Sequence, residues 1–352
     1  MDKKVQDILS KMTLEDKISL CNGADFWHSK AMAQYGIPAI TMSDGPHGVR
    51  CQKNGADMLG VNESEPATCF PTAVTSGATW DAALLKAEGK AIGEEGLSYG
   101  VDVVLGPGVN IKRNPLCGRN FEYFSEDPYI AGAMGAAWVQ GAQESGAGTS
   151  LKHFAANNQE YKRFNGNSQV DERTMRELYL PAFETVVKNA QPETVMCSYP
   201  RINNVHASDN TWLLTEVLRR DWGFDGMVVT DWGALCSRVA EAVRSGALAE
   251  TDVDACAARV IALALKGENR PKGRAFDRDA HNALAQKIAE NGAVLLKNED
   301  GILPLETKDI VLIGEMARTM RYQGAGSSHI NPTKLTSLCD ALPDVPFTAG
   351  CD

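Results

Sequence analysis

The sequence has no apolar run long enough to cross a membrane and no cluster of Lys and Arg residues. Its amino terminus, MDKKVQDILSKMTLEDKISL, is charged and amphipathic and lacks the apolar segment of a signal peptide. Acidic residues number 45 and basic residues 35, which gives a net charge of −10. Because this negative field repels phosphate groups and anionic lipid surfaces, we expect neither nucleic acid nor a membrane as a partner.

The nine cysteines are an odd number, and no two of them are spaced as C-x-x-C. Several lie in apolar stretches, so the pattern favours free buried thiols over a disulfide framework or a zinc site. Free thiols are typical of a reducing compartment, which predicts a cytoplasmic protein. We expect no metal and no cofactor.

The length of 352 residues predicts about two domains. Hydrophobic residues make up 43% of the chain and charged residues 23%, a balance typical of soluble globular proteins. This composition excludes a disordered chain, a collagen and a coiled coil.

Short apolar runs alternate with amphipathic stretches along most of the chain. The predicted strands are Ile37–Met42, Val101–Leu105, Thr149–Leu151, Thr194–Cys197 and Met227–Thr230. The predicted helices between them are Trp80–Tyr99, Tyr129–Glu144, Glu172–Ala190 and Thr211–Trp222. This alternation predicts an α/β fold with a parallel sheet covered by helices, either a closed TIM-like barrel or an open doubly wound sheet. Functional-looking side chains at the ends of all five strands favour the barrel.

Residues 1–265 are therefore predicted to form a TIM-like barrel domain. The stretch 266–276, KGENRPKGRAF, is rich in Gly, Pro and charge and is typical of a linker. A new pattern follows, with a helix at His281–Gly292 and a strand at Asp309–Ile313, which predicts a second α/β domain over residues 277–352. Because so small a domain is marginal alone, we expect it to lean on the first domain or to be incomplete.

One predicted strand ends in an acidic residue with an aromatic neighbour. Asp231 and Trp232 follow Met227–Thr230 directly. An Asp in this position often caps the next helix, so it is a moderate signal by itself. Trp232 favours a sugar site, because an indole face packs on the apolar C–H face of a pyranose.

Charged residues also follow other predicted strands. Asp44 lies in the turn SDGPHGVR and could equally be a capping residue of a tight turn. Arg119 lies in GRNFEYFSEDP, where it could clamp a substrate or pair with a nearby Glu. Lys152 and His153 end another strand, and Arg163 follows shortly after. A lone His is usually structural, but unpaired charges at a buried sheet edge are costly, which favours a binding role for this group.

Several short motifs then follow one another in a fixed order. They are TMSDGPHGVR, GRNFEYFSEDP, SLKHFAANNQEYKRF, TVMCSYPRINN, GMVVTDWGA, ENGAVLLKNEDGILPL and RYQGAGSSHINP. Together, from about Leu14 to about Pro332, they resemble glycoside hydrolase family 3 in its β-glucosidase branch. The resemblance implies a (β/α) barrel followed by an α/β sandwich domain, with the sugar bound between the two.

The resemblance also implies roles for individual residues. Asp231 would be the nucleophile, which forms a covalent glycosyl-enzyme that water opens with retention of configuration. Asp44, braced by Arg50, would bind hydroxyl groups at the far side of the glucose ring. The other implied substrate-binding residues are Arg119, Lys152, His153, Arg163, Met196, Tyr199, Trp232 and Ser327. The cations among them would keep Asp231 ionised.

The chain departs from the family pattern in two places. After DWGA the family has a helix and a further strand, whereas here Val239 leads straight into AEAVRSG, so one barrel strand is predicted to be missing. The family's general acid/base, a Glu, comes from a later part of the sandwich domain than this chain reaches. We therefore expect a nucleophile and a sugar pocket without a proton donor, a loss of about 10²–10⁴-fold in rate.

These patterns support one leading function and two alternatives. The leading function is a retaining, exo-acting β-glucosidase that acts on β-glucosides or short gluco-oligosaccharides, with Asp44 favouring glucose over xylose. The first alternative is a non-catalytic or impaired carbohydrate-binding fragment, which a missing C-terminal portion or a second copy would complete. The second, a nucleotide-binding α/β protein, rests on Asp309–Gly314 and the Gly-rich turns, and it lacks both G-x-G-x-x-G and a P-loop lysine.

Overall fold

The computed structural model describes residues 2–52, 62–232, 239–322, 326 and 328–350. The strands are β1 (Met42–Asp44), β2 (Pro66–Ala67), β3 (Val103–Leu105), β4 (Gly148–Phe154), β5 (Asn167–Ser168), β6 (Thr194–Cys197), β7 (Arg201–Ile202), β8 (Val205–His206), β9 (Met227–Val229), β10 (Leu312–Ile313), β11 (Asn331–Pro332) and β12 (Phe347–Thr348). The α-helices are α1 (Lys3–Leu9), α2 (Leu14–Leu20), α3 (Ala73–Ala78), α4 (Ala82–Ser98), α5 (Pro128–Glu144), α6 (Glu172–Thr174), α7 (Pro181–Ala190), α8 (Val239–Arg244), α9 (Glu250–Glu268), α10 (Arg278–Gly292) and α11 (Leu338–Ala341). Met175–Tyr179 and Trp212–Asp221 are π-helices.

The central element is a parallel sheet in the order β1-β3-β4-β6-β9. Helices connect these strands along the chain, with α4 before β3, α5 before β4 and α7 before β6. Short strands form separate small sheets, in which β2 pairs with β11, β10 pairs with β12, and β7 lies between β5 and β8. The predicted α/β fold with a parallel sheet and covering helices is confirmed.

Both faces of the central sheet are buried. Every residue of β3, β4 and β6 is buried. Val103 belongs to an apolar cluster with α1, α2 and α9, whereas the next residue, Val104, belongs to a cluster with α4, α5 and α7. Because successive side chains of a strand point to opposite faces, these two clusters cover the two sides of the sheet. Burial on both faces explains the nearly continuous apolar runs in the sequence.

Helices α4 and α5 approach each other closely at glycines. A Cβ atom on Gly89 would lie 2.1 Å from the carbonyl oxygen of Trp138, and one on Gly141 would lie 1.8 Å from that of Lys86. No other residue fits at these two positions without a shift of the backbone. The two glycines therefore set the distance between the helices that cover β3 and β4.

Two strands extend further than the apolar pattern predicts and include ionisable residues. β1 includes Asp44, and β4 includes Lys152 and His153. Strand pairing continues through these positions, for example between Asp44 and Leu105. The prediction stopped too early because backbone pairing tolerates a buried charge that has found a partner side chain.

The predicted helix Glu172–Ala190 is interrupted. Pro181 has no N–H group, and the N–H of Leu180 bonds to the carbonyl oxygen of Met175, five residues back, at 2.9 Å. The segment is therefore α6, a π-helical turn and then α7, which begins at the proline. Helix α5 matches the predicted Tyr129–Glu144 to within one residue.

The C-terminal part contains less regular structure than predicted. The strand predicted at Asp309–Ile313 is reduced to β10, because Thr307–Asp309 forms a 3₁₀-helix. Apolar side chains here, including Leu295 and Leu296, are exposed. β11 pairs with β2, which joins this part to the segment before α3. The domain limits at 266–276 stay a prediction.

No helix within the described ranges has the length and apolar character needed to cross a membrane. Cys117 and Cys197 are buried free thiols. The cytoplasmic location stays a prediction.

A buried ion network fastens the segment after α9 to the amino-terminal ends of the strands. Arg270, with only 4% of its side chain exposed, bonds to Glu193 and to the carbonyl oxygen of Gly146, and its Nε lies 3.6 Å from Oδ1 of Asp102. Lys272 bonds to Asp102 at 2.7 Å. Asp102 precedes β3 and Glu193 precedes β6, so the network holds two strand starts in register.

We predict that Arg270→Ala lowers the free energy of unfolding by about 3–5 kcal/mol, because it leaves Asp102 and Glu193 with less compensation for their buried charge. Urea unfolding followed by far-UV circular dichroism measures the change. Arg274→Ala is the matched control, since Arg274 is exposed and its loss should change stability by less than about 0.5 kcal/mol. Equal effects of the two substitutions would contradict a structural role for the network.

Candidate active site

The carboxyl ends of the sheet strands surround one cavity of about 330 Å³. Its lining includes Asp44 from β1, Leu105 from β3, Met196 from β6 and Asp231, two residues after β9. Parallel strands all end at the same edge of a sheet, which brings these distant residues together. The predicted residues that line the cavity are Asp44, Arg119, Lys152, His153, Arg163, Met196, Tyr199, Asp231 and Trp232.

A buried ion pair forms the floor of the cavity. Nζ of Lys152 donates to Oδ1 of Asp44 at 2.9 Å and lies 3.8 Å from Oε2 of Glu122. The three side chains are at most 8% exposed. Asp44 Oδ1 also accepts the N–H of Gly45 at 3.0 Å. The oxygens of Asp44 and the ammonium of Lys152 can therefore accept from and donate to neighbouring hydroxyl groups of a ligand.

The turn after β1 is a tight glycine loop. Gly45 has φ +123°, and a Cβ atom there would lie 1.7 Å from the carbonyl oxygen of Gly48. The N–H of Arg50 closes the turn by donating to the carbonyl oxygen of Asp44 at 2.9 Å. Arg50 is buried and outside the cavity lining, so its position fits support of Asp44 rather than contact with a ligand.

His153 is held as a neutral ring beside the floor. Nη2 of Arg119 lies 2.8 Å from its Nε2, and the Tyr123 hydroxyl lies 3.1 Å from its Nδ1. A guanidinium can only donate, so Nε2 accepts and Nδ1 carries the proton. Burial and the charges of Arg119, Lys152 and Arg163 hold the pKa of His153 well below its usual range. His153 is therefore a fixed hydrogen-bonding group and not a source of charge.

Arg119 and Arg163 are both tied to carboxylates of the cavity. Arg119 bonds to Glu122, which is the pairing that the sequence left open as an alternative to substrate contact. Arg163 lies 3.3 Å from Glu160 and packs over the ring of Tyr199 at 5.0 Å. Glu122 and Glu160 belong to the lining but were missed as site residues, although both lie inside the quoted motifs.

Asp231 is 8% exposed and faces the same cavity. Its Oδ1 accepts the N–H of Trp232 at 3.0 Å, and the Tyr199 hydroxyl, which donates to the Trp232 carbonyl oxygen at 3.0 Å, lies beside it. Burial raises the pKa of Asp231, while Arg119, Tyr199, the Trp232 amide and Lys152 oppose the rise. The cations act in the predicted direction, but burial outweighs them.

Aromatic side chains form one wall of the cavity at half-exposed positions. The rings of Trp27 and Trp232 meet edge to face at 5.4 Å, and Phe26 lies 6.0 Å from Trp232. Nε1 of Trp232 donates to the carbonyl oxygen of Phe26 and Nε1 of Trp27 to Oε1 of Gln52, both at 2.9 Å. Phe26 and Trp27 were missed, because they lie in an irregular segment outside every motif.

The remaining predicted residue, Ser327, lies outside the described residues. Its neighbours Gly326 and Ser328 do line the cavity. The C-terminal part of the chain therefore contributes to the same cavity as the sheet.

The family model described as glycosyl hydrolase family 3 N terminal domain matches residues 28–239. The model described as glycosyl hydrolase family 3 C-terminal domain matches residues 293–346.

Curated relatives cover nearly all of this chain. The thermostable beta-glucosidase B of Acetivibrio thermocellus is 46% identical over 362 residues, with 96% of this chain and 48% of the relative covered. An exo-alpha-(1->6)-L-arabinopyranosidase of Bifidobacterium longum is 45% identical over 377 residues, with 98% and 50% covered. The chain thus spans about half the length of the curated relatives it matches. Both matches extend over more positions than the 352 residues of this chain, so these relatives contain internal residues without a counterpart here.

Solved structures show the same architecture. The Bifidobacterium adolescentis GH3 beta-glucosidase matches with a TM-score of 0.88 at 46% identity, covering 97% of this chain and 53% of that one. The beta-glucosidase 3B from Thermotoga neapolitana in complex with glucose matches with a TM-score of 0.90 at 33% identity, covering 98% and 55%.

We predict that Asp231→Asn stabilises the fold at neutral pH. A carboxyl whose native pKa is raised holds its proton more tightly in the folded chain, so stability falls as pH rises between the unfolded and folded pKa values. The amide of Asn does not ionise and so avoids the cost of a buried charge. The Tm of Asp231→Asn at pH 7 should therefore exceed that of the wild type by about 2 °C. The difference should vanish at pH values below both pKa values. Asp309→Asn supplies the control, since Asp309 is exposed and its replacement should change the Tm at pH 7 by less than about 1 °C.

Proposed function

Because this chain belongs to glycosyl hydrolase family 3, we propose that its cavity binds one terminal β-D-glucosyl residue and that the chain carries the nucleophile of a retaining, exo-acting β-glucosidase. The observation that carries the proposal is the carboxylate of Asp231, buried in the same cavity as the Asp44–Lys152 ion pair. The ion pair supplies polar contacts for hydroxyl groups, and the aromatic wall supplies an apolar surface for sugar C–H groups.

In the proposed reaction Asp231 attacks the anomeric carbon. The bond from its carboxylate oxygen to that carbon forms as the glycosidic C–O bond breaks, and the leaving group departs with the electron pair. Water then attacks the same carbon, the bond from that carbon to Asp231 breaks with its electron pair returning to the carboxylate, and the surplus proton of the water passes to solvent, so that glucose is released with retained configuration. The amide of Trp232 holds the Asp231 carboxylate in one orientation throughout.

The remaining predicted residues would bind the sugar. Asp44 would accept from hydroxyl groups on the floor and Lys152 would donate to them, with Arg50 supporting Asp44 and the His153 ring lying against the sugar beside them. Arg119, Arg163, Met196, Tyr199, Trp232 and Ser327 would complete the substrate-binding set.

A proton donor for the leaving group is not evident among the described cavity residues. Asp44 is paired with Lys152, Glu122 with Arg119 and Glu160 with Arg163. Each of these carboxylates accepts from a cation, so it is poorly placed to carry a proton to the leaving group. We therefore propose that this chain acts without general acid catalysis, so that turnover depends on the leaving group.

We also propose that the central sheet is a TIM-like barrel that lacks one strand. All residues of β9, at one end of the strand order, are only half-buried, in contrast to β3, β4 and β6. Among the described residues after β9, the next strand is β10. The relatives' additional internal residues support a deletion within this chain, and the sequence pattern is our reason for proposing it at Val239. The proposed domains are 1–265 and 277–352, supported by the separate matches of the two family models.

A second candidate function is α-L-arabinopyranoside cleavage, favoured by the name of the Bifidobacterium longum relative. The two sugars differ in configuration at ring carbon 4, and the arabinoside lacks the exocyclic hydroxymethyl group of glucose. Parallel assays with 4-nitrophenyl β-D-glucopyranoside and 4-nitrophenyl α-L-arabinopyranoside distinguish the two activities.

We predict that 2,4-dinitrophenyl 2-deoxy-2-fluoro-β-D-glucoside adds one fluoroglucosyl group to the chain. The fluorine slows hydrolysis of the glycosyl-enzyme, so intact mass should rise by one adduct, which peptide mapping should place on Asp231. Asp231→Asn should give no adduct, and Asp209→Asn should label like the wild type. Labelling of another carboxylate contradicts the nucleophile assignment. No adduct, combined with a glucose-dependent rise in Tm, indicates the carbohydrate-binding fragment instead.

We predict that leaving-group quality controls the rate. 2,4-Dinitrophenyl β-D-glucoside, whose leaving group needs no protonation, should be cleaved at least about 10²–10⁴-fold faster than methyl β-D-glucoside, whose leaving group does need it. Steady-state kcat/KM over a series of aryl and alkyl glucosides measures the dependence. A flat series in the wild type that becomes steep in Glu160→Gln would contradict the proposal and identify Glu160 as the acid.

A further inference from the structure

A buried histidine joins α10 to α4. His281 is 7% exposed; its Nδ1 lies 2.7 Å from Oε1 of Glu95, and its Nε2 lies 3.3 Å from Oε2 of Glu94. A carboxylate can only accept, and a neutral imidazole has a single N–H to donate. Both contacts are hydrogen bonds only when His281 is an imidazolium. The geometry therefore indicates a cation held between two carboxylates.

The surroundings of His281 favour this charge. Glu94 and Glu95 face it from α4, where Lys90 pairs with Glu94 at a longer distance of 3.9 Å. On the side of α10, Phe276 stacks on the imidazole at 5.4 Å, and Arg278 lies on that phenyl ring at 5.6 Å. Both carboxylates lie closer to the imidazole than Lys90 does to Glu94. Despite burial, they raise the pKa of His281 above its usual value.

Glu95 also bonds to the segment that contains β2. Its second oxygen accepts the N–H of Thr68 at 2.9 Å, and Glu95 is fully buried. Thr68 follows β2, which pairs with β11. From α10 itself, Asn282 donates to Oγ1 of Thr333 at 3.3 Å, and the N–H of Thr333 bonds to the carbonyl oxygen of Ala67 at 2.8 Å. Glu95, held by His281, thus bonds to the end of β2, and Asn282 of the same helix bonds to the end of β11.

β11 in turn leads to the cavity edge. Ile330, just before it, is fully buried, and Ser328 lines the cavity. A Cβ atom on Gly48 would lie 2.5 Å from the Ile330 side chain and 2.4 Å from the Thr68 carbonyl oxygen. The segments that contain Gly48, Thr68 and Ile330 therefore meet at Gly48, in the turn that follows Asp44.

We propose that His281 is a positioning residue, an imidazolium clasp that fastens α10 to Glu95 and thereby keeps the Ser328 edge of the cavity in place, so that raising the pH loosens this edge. The part of this inference that concerns sugar affinity rests on the proposed function.

The direction follows from the raised pKa. The stabilisation by the clasp is fully present below the pKa of an unfolded His, about 6.5, and is lost as pH rises through the folded-state value. The edge is therefore held in place at pH values below about 6.5 and is released as pH rises through the folded-state pKa of His281.

The first test measures the titration of His281 in the whole chain. We expect the Cε1–H resonance of ¹³C-labelled histidine, assigned by its absence in His281→Gln, to titrate above pH 6.5. Glu94→Gln should lower this pKa and keep the fold, because Glu94 is half-exposed. Glu290→Gln, at an exposed position on α10, should not change it. A His281 resonance that titrates below pH 6.5 would overturn the proposal.

The second test measures the cavity edge by hydrogen exchange with mass spectrometry, corrected for the intrinsic effect of pH. Residues 328–333 of the wild type should be protected at pH 6 and lose protection at pH 9, whereas His281→Gln should lack the protection at both. If His281→Gln does not fold, Glu94→Gln decides the matter, since its loss of protection should begin at lower pH. Unchanged protection in these variants contradicts the clasp.

Glucose affinity, measured by calorimetry at the same pH values, adds a readout that a purely structural role would not move. The wild type should bind glucose about fivefold more weakly at pH 9 than at pH 6, with no such change in His281→Gln. Binding that is equal at both pH values in the wild type rejects the effect on the cavity. No glucose binding at any pH rejects the proposed function, while the exchange result still decides on the clasp.

Discussion

The cavity depends on the ion pair between Lys152 and Asp44. The two residues lie on β4 and β1, on either side of β3, and both side chains are almost completely buried. Either charge alone at this depth would be costly, because a desolvated ion without a partner destabilises a fold by several kcal/mol. Together they allow two charged groups to lie at the buried carboxyl edge of the sheet. The same pairing explains why the strands continue through ionisable residues.

Asp231 has the opposite character. It shares the cavity with the floor ion pair, but its carboxylate has the Trp232 amide and the Tyr199 hydroxyl beside it and, among the residues that the structure describes, no ion pair of its own. Burial raises its pKa, which means that the folded chain resists its ionisation. A carboxylate that is not neutralised by a cation retains its basicity toward an electrophilic carbon. The fold thus accepts a local loss of stability at the one carboxylate for which we propose a chemical role.

The sequence indicated the parallel sheet well because its signals are local. Runs such as Thr194–Cys197 are branched, apolar and followed by polar residues, and that run matches β6 residue for residue. The capping box of Thr13 and Asp16 at the start of α2 is likewise a local signal. Pro181, which divides a helix that periodicity predicts as continuous, is a local signal that the periodicity outweighed. The strand ends could not be predicted, because they follow pairing across the sheet rather than side-chain polarity.

The site residues also fall into those that the sequence could predict and those that it could not. Residues at strand ends, such as Lys152 and Asp231, could be found because a buried strand fixes where the next side chains lie. Phe26 and Trp27 could not, since their position follows from isolated bridges, Gly23 with Ser29 and His28 with Thr41, in a segment without periodicity. The far edge at Ser328 depends on the pairing of β11 with β2, more than 260 residues apart in register. A cavity formed by such distant segments stays in shape only if each segment is held from outside it. On the C-terminal side, the contacts that do so converge on Gly48, where any larger side chain would push Thr68 and Ile330 away from the turn that carries Asp44.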